Sequence, residues 1–334
     1  MYAIVNYGEI MKILLLSRKR FWWKSTWASM KAAFGRYFDV KYYGKGYPNY
    51  GGERRIDVLK VIEKFYLGDY PDVVLQTSPH LPSTHFYDMD NYEKANCLRV
   101  MWLADFHNDI GRKEVYEYLK AGNVDLVIKN YDVRNESEWG RKLIETGVPI
   151  EWCPFSIDPE IFHDMSQPKI YDVINLGQLT TQNYPFRWRV EQMLKSQEDI
   201  KYYKRSKKTQ PVWGVDYAKL INQSRIMATD CSTYNFAVQK MFETMACNTL
   251  LICNTPRSAK ELGFKPGLNY VHWGHEPKQS IDVDDEMVMN TISYYLDNPD
   301  EAAKIALRGH ELVHSRHTHD VRMKEFLSIL EKYI

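Results

Sequence analysis

Residues 234–254 read YNFAVQKMFETMACNTLLICN, and this stretch decides the fold class. In its first part, Phe236, Met241, Met245 and Ala246 fall on one face of a helix. Its second part, residues 249–253, is a short apolar run typical of a strand that is buried on both faces. A helix that leads directly into a buried strand is half of a βαβ unit, so the stretch predicts a parallel sheet covered by helices.

The same alternation of short apolar runs and helical periodicity extends in both directions along the chain. A first series of strands is predicted at 13–16, 73–75, 98–103, 125–128 and around Trp152, with helices at 55–67 and 113–120. A second series is predicted at 173–176, 200–203, 226–228, 249–253 and 270–272, with helices at 185–195, 215–222 and 236–247. Three amphipathic helices are predicted to end the chain, at 284–296, 301–315 and 321–333. Two such series predict an α/β protein with two doubly wound, Rossmann-like domains.

The break between the two series lies at residues 153–173, which carry Pro154, Pro159 and Pro168 and show little periodicity. A chain of 334 residues is also long enough for about two domains of roughly 150 residues. We therefore predict one domain at 1–157 and another at 158–314. The helix at 315–334 is expected to pack back on the N-terminal domain.

Composition excludes several classes of protein. The chain is 44% apolar and 26% charged with a formal net charge of +1, which excludes disordered and collagen-like chains and a global basic field for nucleic acid. Five cysteines without a C-x-x-C pair favour a reducing compartment. No apolar run approaches the roughly 20 residues of a membrane span, and the first ten residues, interpreted as an extension, lack a signal-peptide pattern. These features predict a cytoplasmic protein.

Aromatic residues are abundant, at 24 Tyr, 9 Trp and 13 Phe. Many lie at predicted core-facing helix positions, including Tyr294 and Phe326. The cluster at 21–27 does not fit that explanation.

In open parallel sheets ligands bind beyond the carboxyl ends of the strands, and with two such domains the expected pocket is the cleft between them. The first polar set after a predicted strand is WLADFHNDIGR, residues 102–112. Asp105 and His107 are candidate catalytic residues there, because a carboxylate or imidazole at this position could act as a general base for a hydroxyl nucleophile. The alternative is an ordinary loop in which Asp109 caps the next helix.

A second set is INLGQLTTQNYPFR, residues 174–187. Gly177 permits close backbone approach, and Pro185 marks a helix start whose free N–H groups suit phosphate. Arg187 stands in the first turn, where the helix dipole disfavours a cation, so it is a candidate for bidentate phosphate contact. The alternative is a solvated arginine.

A third set is Lys240 and Glu243, three residues apart and so neighbours on one helix face. They could form a surface ion pair, which contributes little. The alternative is an ammonium for phosphate beside a carboxylate for two ribose hydroxyls.

The stretch that contains Lys240 and Glu243 resembles a known family. KMFETMACNTLLI (240–252) follows the pattern of a basic residue, an aromatic residue, Glu, small residues and an apolar strand found in GT-B glycosyltransferases, in the CgeB-like (spore-maturation-protein) branch of the group 1 transferases. The resemblance spans roughly residues 150–325 and is supported by four further segments: CPFSIDPEIF (153–162), YDVINLGQ (171–178), AKELGFKPGLNYVHW (259–273) and YYLDNPDEAAKIALRGHELVHSRHTHDVRM (294–323). The first 150 residues match by pattern alone.

The resemblance implies a nucleotide-sugar substrate, with a UDP-sugar expected first, bound mainly by the second domain. Glu243 matches the glutamate that holds the donor ribose, Lys240 and Arg187 are similar to residues that contact the diphosphate, and Gly177 matches the glycine facing it. Asn235 occupies the position where related retaining enzymes carry a second glutamate. That departure leaves inversion or retention open.

A second departure is Asn248, which replaces a glycine of the family pattern. Asn tolerates left-handed backbone angles, so this departure predicts a changed local turn.

Such enzymes would stabilise the leaving diphosphate with helix N-termini and basic residues, so no cofactor or metal is expected. Two D-x-D strings, at 88–90 and 282–284, are weak metal candidates, and the second is better interpreted as a helix cap. His314, His317 and His319 have ligand-like spacing. Solvated or core-bonded histidines are the favoured interpretation.

The acceptor side is unusual. In SRKRFWWKSTW (17–27), Arg18, Arg20, Trp22 and Trp23 interleave charge and aromatic rings, which suits phosphate and base stacking or sugar stacking equally. A second basic loop is KYYKRSKK, residues 201–208. The acceptor could thus be the hydroxyl of a glycan, a lipid-linked glycan or a small molecule, or a hydroxymethylated base of DNA held by loops 18–24 and 201–208. A non-catalytic sugar-nucleotide-binding module and a sugar-nucleotide epimerase remain as further alternatives.

Overall fold

The computed structural model describes residues 10–17, 19, 26–53, 55–77, 89–103, 109–132, 138–182, 184–204, 212–232, 234–273 and 284–334. These residues fall into two compact units. The first comprises residues 10–19, 27–154 and 322–334 among those described, and the second comprises residue 26 and residues 155–321. Each unit is built around its own parallel sheet.

The sheet of the first unit has six parallel strands in the order β2-β1-β4-β6-β7-β8. Two very short strands, β3 and β5, pair separately. The strands are β1 (Lys12–Leu16), β2 (Asp39–Tyr43), β3 (Ile56–Asp57), β4 (Val73–Thr77), β5 (Met89–Asp90), β6 (Leu98–Leu103), β7 (Leu126–Lys129) and β8 (Ile150–Trp152). The chain runs outward from β1 to β2 and then returns to β4, so the strand order reverses between β1 and β4.

Four helices cover this sheet within the first 154 residues that the structure describes: α1 (Thr26–Tyr37), α2 (Val58–Tyr66), α3 (Asp109–Lys120) and α4 (Glu138–Ile144). Helix α2 shows why the chain folds this way locally. Its N-terminus is capped by the Asp57 carboxylate, which accepts from Lys60 N, and Val58, Val61 and Ile62 bury one face. The helix ends where Leu67 adopts a left-handed conformation with φ 52°.

The sheet of the second unit has the order β12-β11-β10-β9, again all parallel. Its strands are β9 (Tyr171–Ile174), β10 (Ser224–Ala228), β11 (Leu250–Cys253) and β12 (Val271–His272). A parallel bridge between Val173 and Tyr202 extends the sheet beyond β9. The chain therefore passes outward from β9 to Tyr202 and returns to β10, and the order reverses between β9 and β10.

Six helices of the described residues surround this second sheet: α5 (Pro185–Ser196), α6 (Gly214–Asn222), α7 (Gln239–Ala246), α8 (Ala259–Leu262), α9 (Asp285–Asp297) and α10 (Pro299–Arg316). One face of the sheet packs against apolar side chains of α5, α9 and α10, among them Phe186, Ile292 and Ile305. Phe186 and Trp273 meet edge to face with ring centroids 5.5 Å apart. Burial of such rings is the main stabilising term of this core.

The last helix, α11 (His319–Leu330), contributes to the core of the first unit. Phe326 is fully buried and lies 5.1 Å from Trp102 and 5.4 Å from Phe34, centroid to centroid. Met323 and Leu330 belong to the same cluster. The expected core position of Phe326 is confirmed.

Most predicted strands and helices are confirmed, with ends displaced by a few residues. The structure adds α1, α4, α8, β2, β3 and β5, which the sequence pattern did not predict. The strand predicted at 200–203 is reduced to the isolated bridge at Tyr202. Tyr294 was wrongly assigned to the core, because it is 49% exposed and its hydroxyl donates to Glu301. Among the described residues, no helix is long and apolar enough to cross a membrane.

Candidate functional site

The reversal of strand order between β9 and β10 is the place where open parallel sheets bind ligands. Gly177 follows β9 at this point, and Asp230 follows β10. Both lie at the carboxyl ends of their strands. Three predicted donor-site residues, Gly177, Arg187 and Lys240, converge there.

Gly177 lies against two cationic side chains. Its φ is +110°, a conformation that residues with a side chain rarely adopt. A Cβ built at this position would collide with Lys240 Cε and lie 2.9 Å from both Lys240 Nζ and Arg187 Nη1. The ammonium and the guanidinium are therefore close together beside a bare stretch of backbone, an arrangement that suits an anion.

Arg187 is almost completely buried, with a side-chain exposure of 1%. Its Nη2 donates to Asp230 Oδ1 at 2.7 Å, and its Nη1 donates to the backbone oxygen of Gln178 at 3.3 Å. The guanidinium also lies over the Tyr184 ring, 4.1 Å from its centroid. The solvated-arginine alternative is therefore wrong, and Arg187 is a fixed, charge-paired group.

Asp230 is the main residue of this site that the sequence analysis missed. Its carboxylate accepts from Arg187 N at 3.0 Å and from Ser232 N at 3.3 Å, besides the guanidinium. It thus caps α5, whose first residue is Pro185 and whose cap residue Tyr184 makes no side-chain cap bond. The expectation that the start of α5 offers its N–H groups to phosphate needs correction, because Asp230 already takes one of them. A carboxylate immediately after a buried strand was the available signal.

Helix α7 positions Lys240 and Glu243 one turn apart. Glu243 is only 6% exposed, so the simple surface ion pair is wrong for this residue. Burial raises the pKa of the neighbouring Cys247 thiol, and the Glu243 carboxylate raises it further. Glu243 is therefore a buried carboxyl side chain on the helix that also carries Lys240.

Asn235 has a bracing role in the structure. It adopts a left-handed conformation with φ 58°, and its Oδ1 accepts from Asn254 Nδ2 at 3.0 Å. Its backbone oxygen accepts from Arg257 N at 2.9 Å. The loop after β10 is thereby joined to the loop after β11.

Asn248 adopts a left-handed conformation with φ 53°, which asparagine tolerates; the changed turn expected from the replaced glycine stays a prediction.

The predicted catalytic residues Asp105 and His107 and the predicted acceptor residues Arg18, Arg20, Trp22 and Trp23 lie outside the described residues. At the strand-order reversal of the first unit, between β1 and β4, the structure describes a group of polar side chains. Thr77 Oγ1 donates to Ser17 Oγ at 2.8 Å, and the Lys31 ammonium donates to the same hydroxyl.

The basic loop at 201–208 is described as far as Lys204. Lys195, Lys201 and Lys204 line an open groove of about 570 Å³ with Glu198 and Tyr202. Lys195 also pairs with the buried Glu191 at 3.0 Å. None of the predicted donor residues lines this groove.

The weak metal candidates have other partners. Asp284 caps α9 by accepting from Glu286 N at 2.9 Å, and Asp90 pairs with Arg55 at 2.7 Å. The predicted capping role of the second D-x-D string is confirmed. Asp88 and Asp282 lie outside the described residues.

The three histidines also have separate partners. His317 lies 2.9 Å from the backbone oxygen of Leu262, His319 lies 2.8 Å from Ser156 Oγ, and His314 lies 3.1 Å from the backbone oxygen of Ala246. Across the part of the chain that the structure describes, no group of three or more His, Cys, Asp or Glu side chains is arranged to hold a metal ion.

Comparison with known proteins agrees with this geometry. Residues 177–328 match the family model described as glycosyl transferase-like. This match begins at Gly177 and includes Arg187, Lys240 and Glu243, so the resemblance predicted for this part of the chain is confirmed. No curated protein matches the sequence significantly.

Solved structures with the same fold cover nearly the whole chain. Sucrose-phosphate synthase from Thermosynechococcus elongatus is 11% identical with a TM-score of 0.62, over 97% of this chain and 99% of that one. A glycosyltransferase from Rickettsia africae is 13% identical with a TM-score of 0.58, over 98% and 99%. Anabaena HepE in complex with UDP-glucose is 14% identical with a TM-score of 0.57, over 96% and 100%. The protein thus has the fold of the GT-B glycosyltransferases, and its residues 177–328 match a family model described as glycosyl transferase-like.

Proposed function

We propose that the protein is a glycosyltransferase that takes its sugar from a nucleoside diphosphate sugar. The observation that carries the proposal is the convergence of Lys240 Nζ and Arg187 Nη1 on the backbone of Gly177. Two cationic donors beside a residue without a side chain suit the close approach of a diphosphate. The position at the strand-order reversal supports the same assignment.

In this proposal each residue has one task. Lys240 and Arg187 donate to the phosphate oxygens and stabilise the charge that develops as the diphosphate leaves. Glu243, one helical turn from Lys240, accepts from the two ribose hydroxyls, for which a carboxylate has enough acceptor sites. Gly177 has no side chain and so leaves room for the Lys240 side chain and Arg187 Nη1 beside its backbone.

A UDP-sugar is the donor that we propose. HepE has been solved with UDP-glucose, with UDP, and with UDP and glucose. It shares the fold of this chain at low identity, so it supports uridine as the first nucleotide to test.

The transfer itself joins the acceptor oxygen to the anomeric carbon while the bond from that carbon to the diphosphate oxygen breaks. A general base takes the proton of the acceptor hydroxyl. We assign this task to Asp105 or His107, which follow β6 in the sequence. We propose that the two cations act on the diphosphate without a metal ion and that the acceptor is a glycan, a lipid-linked glycan or a small molecule.

A polyanionic acceptor such as hydroxymethylated DNA is a second candidate, favoured by the groove that Lys195, Lys201 and Lys204 line. If the acceptor is DNA, transfer should fall steeply with salt, because each phosphate contact releases counterions. Replacing Lys201 and Lys204 with Gln should weaken transfer and reduce the salt dependence. Transfer that is insensitive to salt would count against DNA.

Turnover of a panel of nucleotide sugars, with and without added acceptor pools, tests the proposed activity. We expect UDP release from one UDP-sugar, unaffected by EDTA. Donor binding without any turnover would instead indicate a non-catalytic module. Conversion of the donor to another sugar nucleotide without acceptor would indicate an epimerase, and complete loss of turnover in EDTA would contradict metal independence.

A further inference from the structure

Asp230 and Arg187 form a buried ion pair, and the proposed donor contacts give a task to Arg187 but none to Asp230. Both side chains are 1% exposed. Burying an unpaired guanidinium this deeply would cost a large desolvation free energy. The Asp230 carboxylate offsets that cost and so allows Arg187 to be buried. Yet only one edge of the guanidinium, the Nη2 edge, contacts the carboxylate.

The opposite end of the guanidinium lies at Gly177. Nη1 is 2.9 Å from the position of a Cβ at Gly177, close to the Lys240 ammonium. The carboxylate therefore holds the Nη2 edge, while Nη1, which also donates to the backbone oxygen of Gln178, lies beside the second cation. The Tyr184 ring, 4.1 Å from the guanidinium carbon, supports the plane from one face.

Asp230 also holds the backbone that carries Arg187. Its Oδ2 accepts from Arg187 N at 3.0 Å, while Oδ1 accepts from Nη2 at 2.7 Å and from Ser232 N at 3.3 Å. One carboxylate thus fixes both ends of the same residue. Asparagine could not reproduce this, because its single amide oxygen replaces two acceptors and its NH₂ group would face a donor.

We infer that Asp230 is a positioning residue for diphosphate binding: it holds the Arg187 guanidinium in place to bind the phosphates next to Lys240. This inference rests on the proposed donor site and adds a residue to it. Asp230 touches Arg187 and does not itself contact the diphosphate. Its effect should therefore appear only with ligands that carry phosphate, and only while Arg187 is present.

Calorimetry of Asp230→Asn with UDP, uridine and pyrophosphate tests the inference. We expect UDP and pyrophosphate affinity to fall at least about tenfold, with uridine affinity unchanged. If Asp230 acted only through its charge, Asp230→Asn would bind UDP and pyrophosphate more tightly than wild type, because removing a negative charge from the site would strengthen anion binding. Unchanged or increased UDP affinity, or an equal loss for uridine, would overturn the inference.

The matched control is Asp285→Asn. Asp285 pairs with Arg189, which lies two residues from Arg187 on the same helix, at 2.5 Å. That pair is exposed, with side-chain exposures of 38% and 54%, so its removal eliminates the same charge without releasing a buried arginine. Wild-type UDP affinity is expected for this variant.

A second comparison tests the inference if Asp230→Asn does not fold. Replacing both partners of a buried pair is tolerated far better than removing one. Arg187→Met and the double variant with Asp230→Asn should both bind UDP at least about tenfold more weakly than wild type, and the double variant should bind no more weakly than Arg187→Met. A further loss in the double variant would show that Asp230 does not act through Arg187, and overturn the inference.

The binding data distinguish failure of the proposed function from failure of the positioning role of Asp230. If the wild-type protein bound pyrophosphate but not UDP, the nucleotide assignment would fall, and the effect of Asp230→Asn on pyrophosphate would still decide the positioning role. If it bound neither, both proposals would be wrong.

Discussion

Gly177 is the residue on which the donor site depends most visibly. Gly177→Ala would drive a methyl group into the Lys240 side chain and toward Arg187 Nη1. We expect UDP affinity to fall by at least about tenfold, or about 1.4 kcal/mol, measured by calorimetry. Gly267→Ala is the control, since Gly267 also has a positive φ of +73° but no atom within 4 Å of a Cβ. Equal affinities in both variants would contradict the assignment.

Glu243 is the residue that we expect to accept hydrogen bonds from the ribose hydroxyls. We expect the wild-type protein to bind UDP more tightly than 2′-deoxy-UDP, because a hydrogen bond to a charged group contributes about 1.5–3 kcal/mol. In Glu243→Gln this preference should shrink by about tenfold or more. Glu261→Gln, at an exposed position of α8, should keep the preference. If Glu243→Gln discriminates as well as wild type, Glu243 does not hold the ribose.

The residues also show where prediction from sequence reached its limit. Gly177, Arg187 and Lys240 were selected from local signals, namely strand ends, a helix start and a motif, and the structure places all three together. Asp230 was missed because its partner lies 43 positions away in sequence, and no local pattern reports such a pairing. The burial of Arg187 follows from that same pairing and was missed with it.

Helices α7 and α10 are joined by a pair of histidines. His310 Nδ1 and His314 Nε2 lie 2.8 Å and 3.1 Å from the backbone oxygen of Ala246, the last residue of α7. The two imidazole rings are 4.2 Å apart. Because α7 carries Lys240 and Glu243, this contact fixes the end of the helix that presents the donor-site residues.

This contact predicts a pH dependence. Burial, helped by the neighbouring His310 and His163, lowers the pKa of His314 below 6.5, although the hydrogen bond to Ala246 raises it. As pH falls through about 6.5 the unfolded chain takes up this proton first, so stability is lost until the lower folded-state pKa is passed. His314→Gln keeps a donor for Ala246 and should flatten this part of the stability profile between about pH 7 and pH 5.

Urea denaturation at a series of pH values measures this effect. Ser315→Ala, at an exposed and non-titrating position of the same helix, should retain the wild-type profile. An identical pH dependence in His314→Gln and wild type would contradict the assigned shift.

Strands and helices were predicted well where they are buried and have a clear apolar sequence pattern. They were predicted poorly where they lie at the edge of a sheet. Strands β4, β6 and β11 are mostly apolar and buried, and they were predicted within about two residues of their observed ends. Strand β2 was missed because its sequence, DVKYY, lies at the sheet edge, where only Tyr43 is buried. Tyr294 was misplaced because helical periodicity alone does not say which side of α9 meets the core.

The whole chain is needed to complete the first unit, since its core includes side chains from the last helix. Phe326 is fully buried between Trp102 and Phe34. Phe326→Ala should therefore lower the free energy of unfolding by about 3–5 kcal/mol, measured by denaturant titration. Tyr294→Ala, at an aromatic residue that is 49% exposed, should cost about 1 kcal/mol or less. Equal costs would contradict the assignment of α11 to this core.

We propose that Gly177, Arg187 and Lys240 bind the diphosphate of a nucleotide sugar. Calorimetric titration of uridine, UMP and UDP into the wild-type protein and Lys240→Met tests it most directly. We expect wild-type affinity to rise with each phosphate, and Lys240→Met to lose most of the gain from UMP to UDP while its uridine affinity is unaffected. Equal affinity for the three ligands, or an unchanged gain in Lys240→Met, would contradict it.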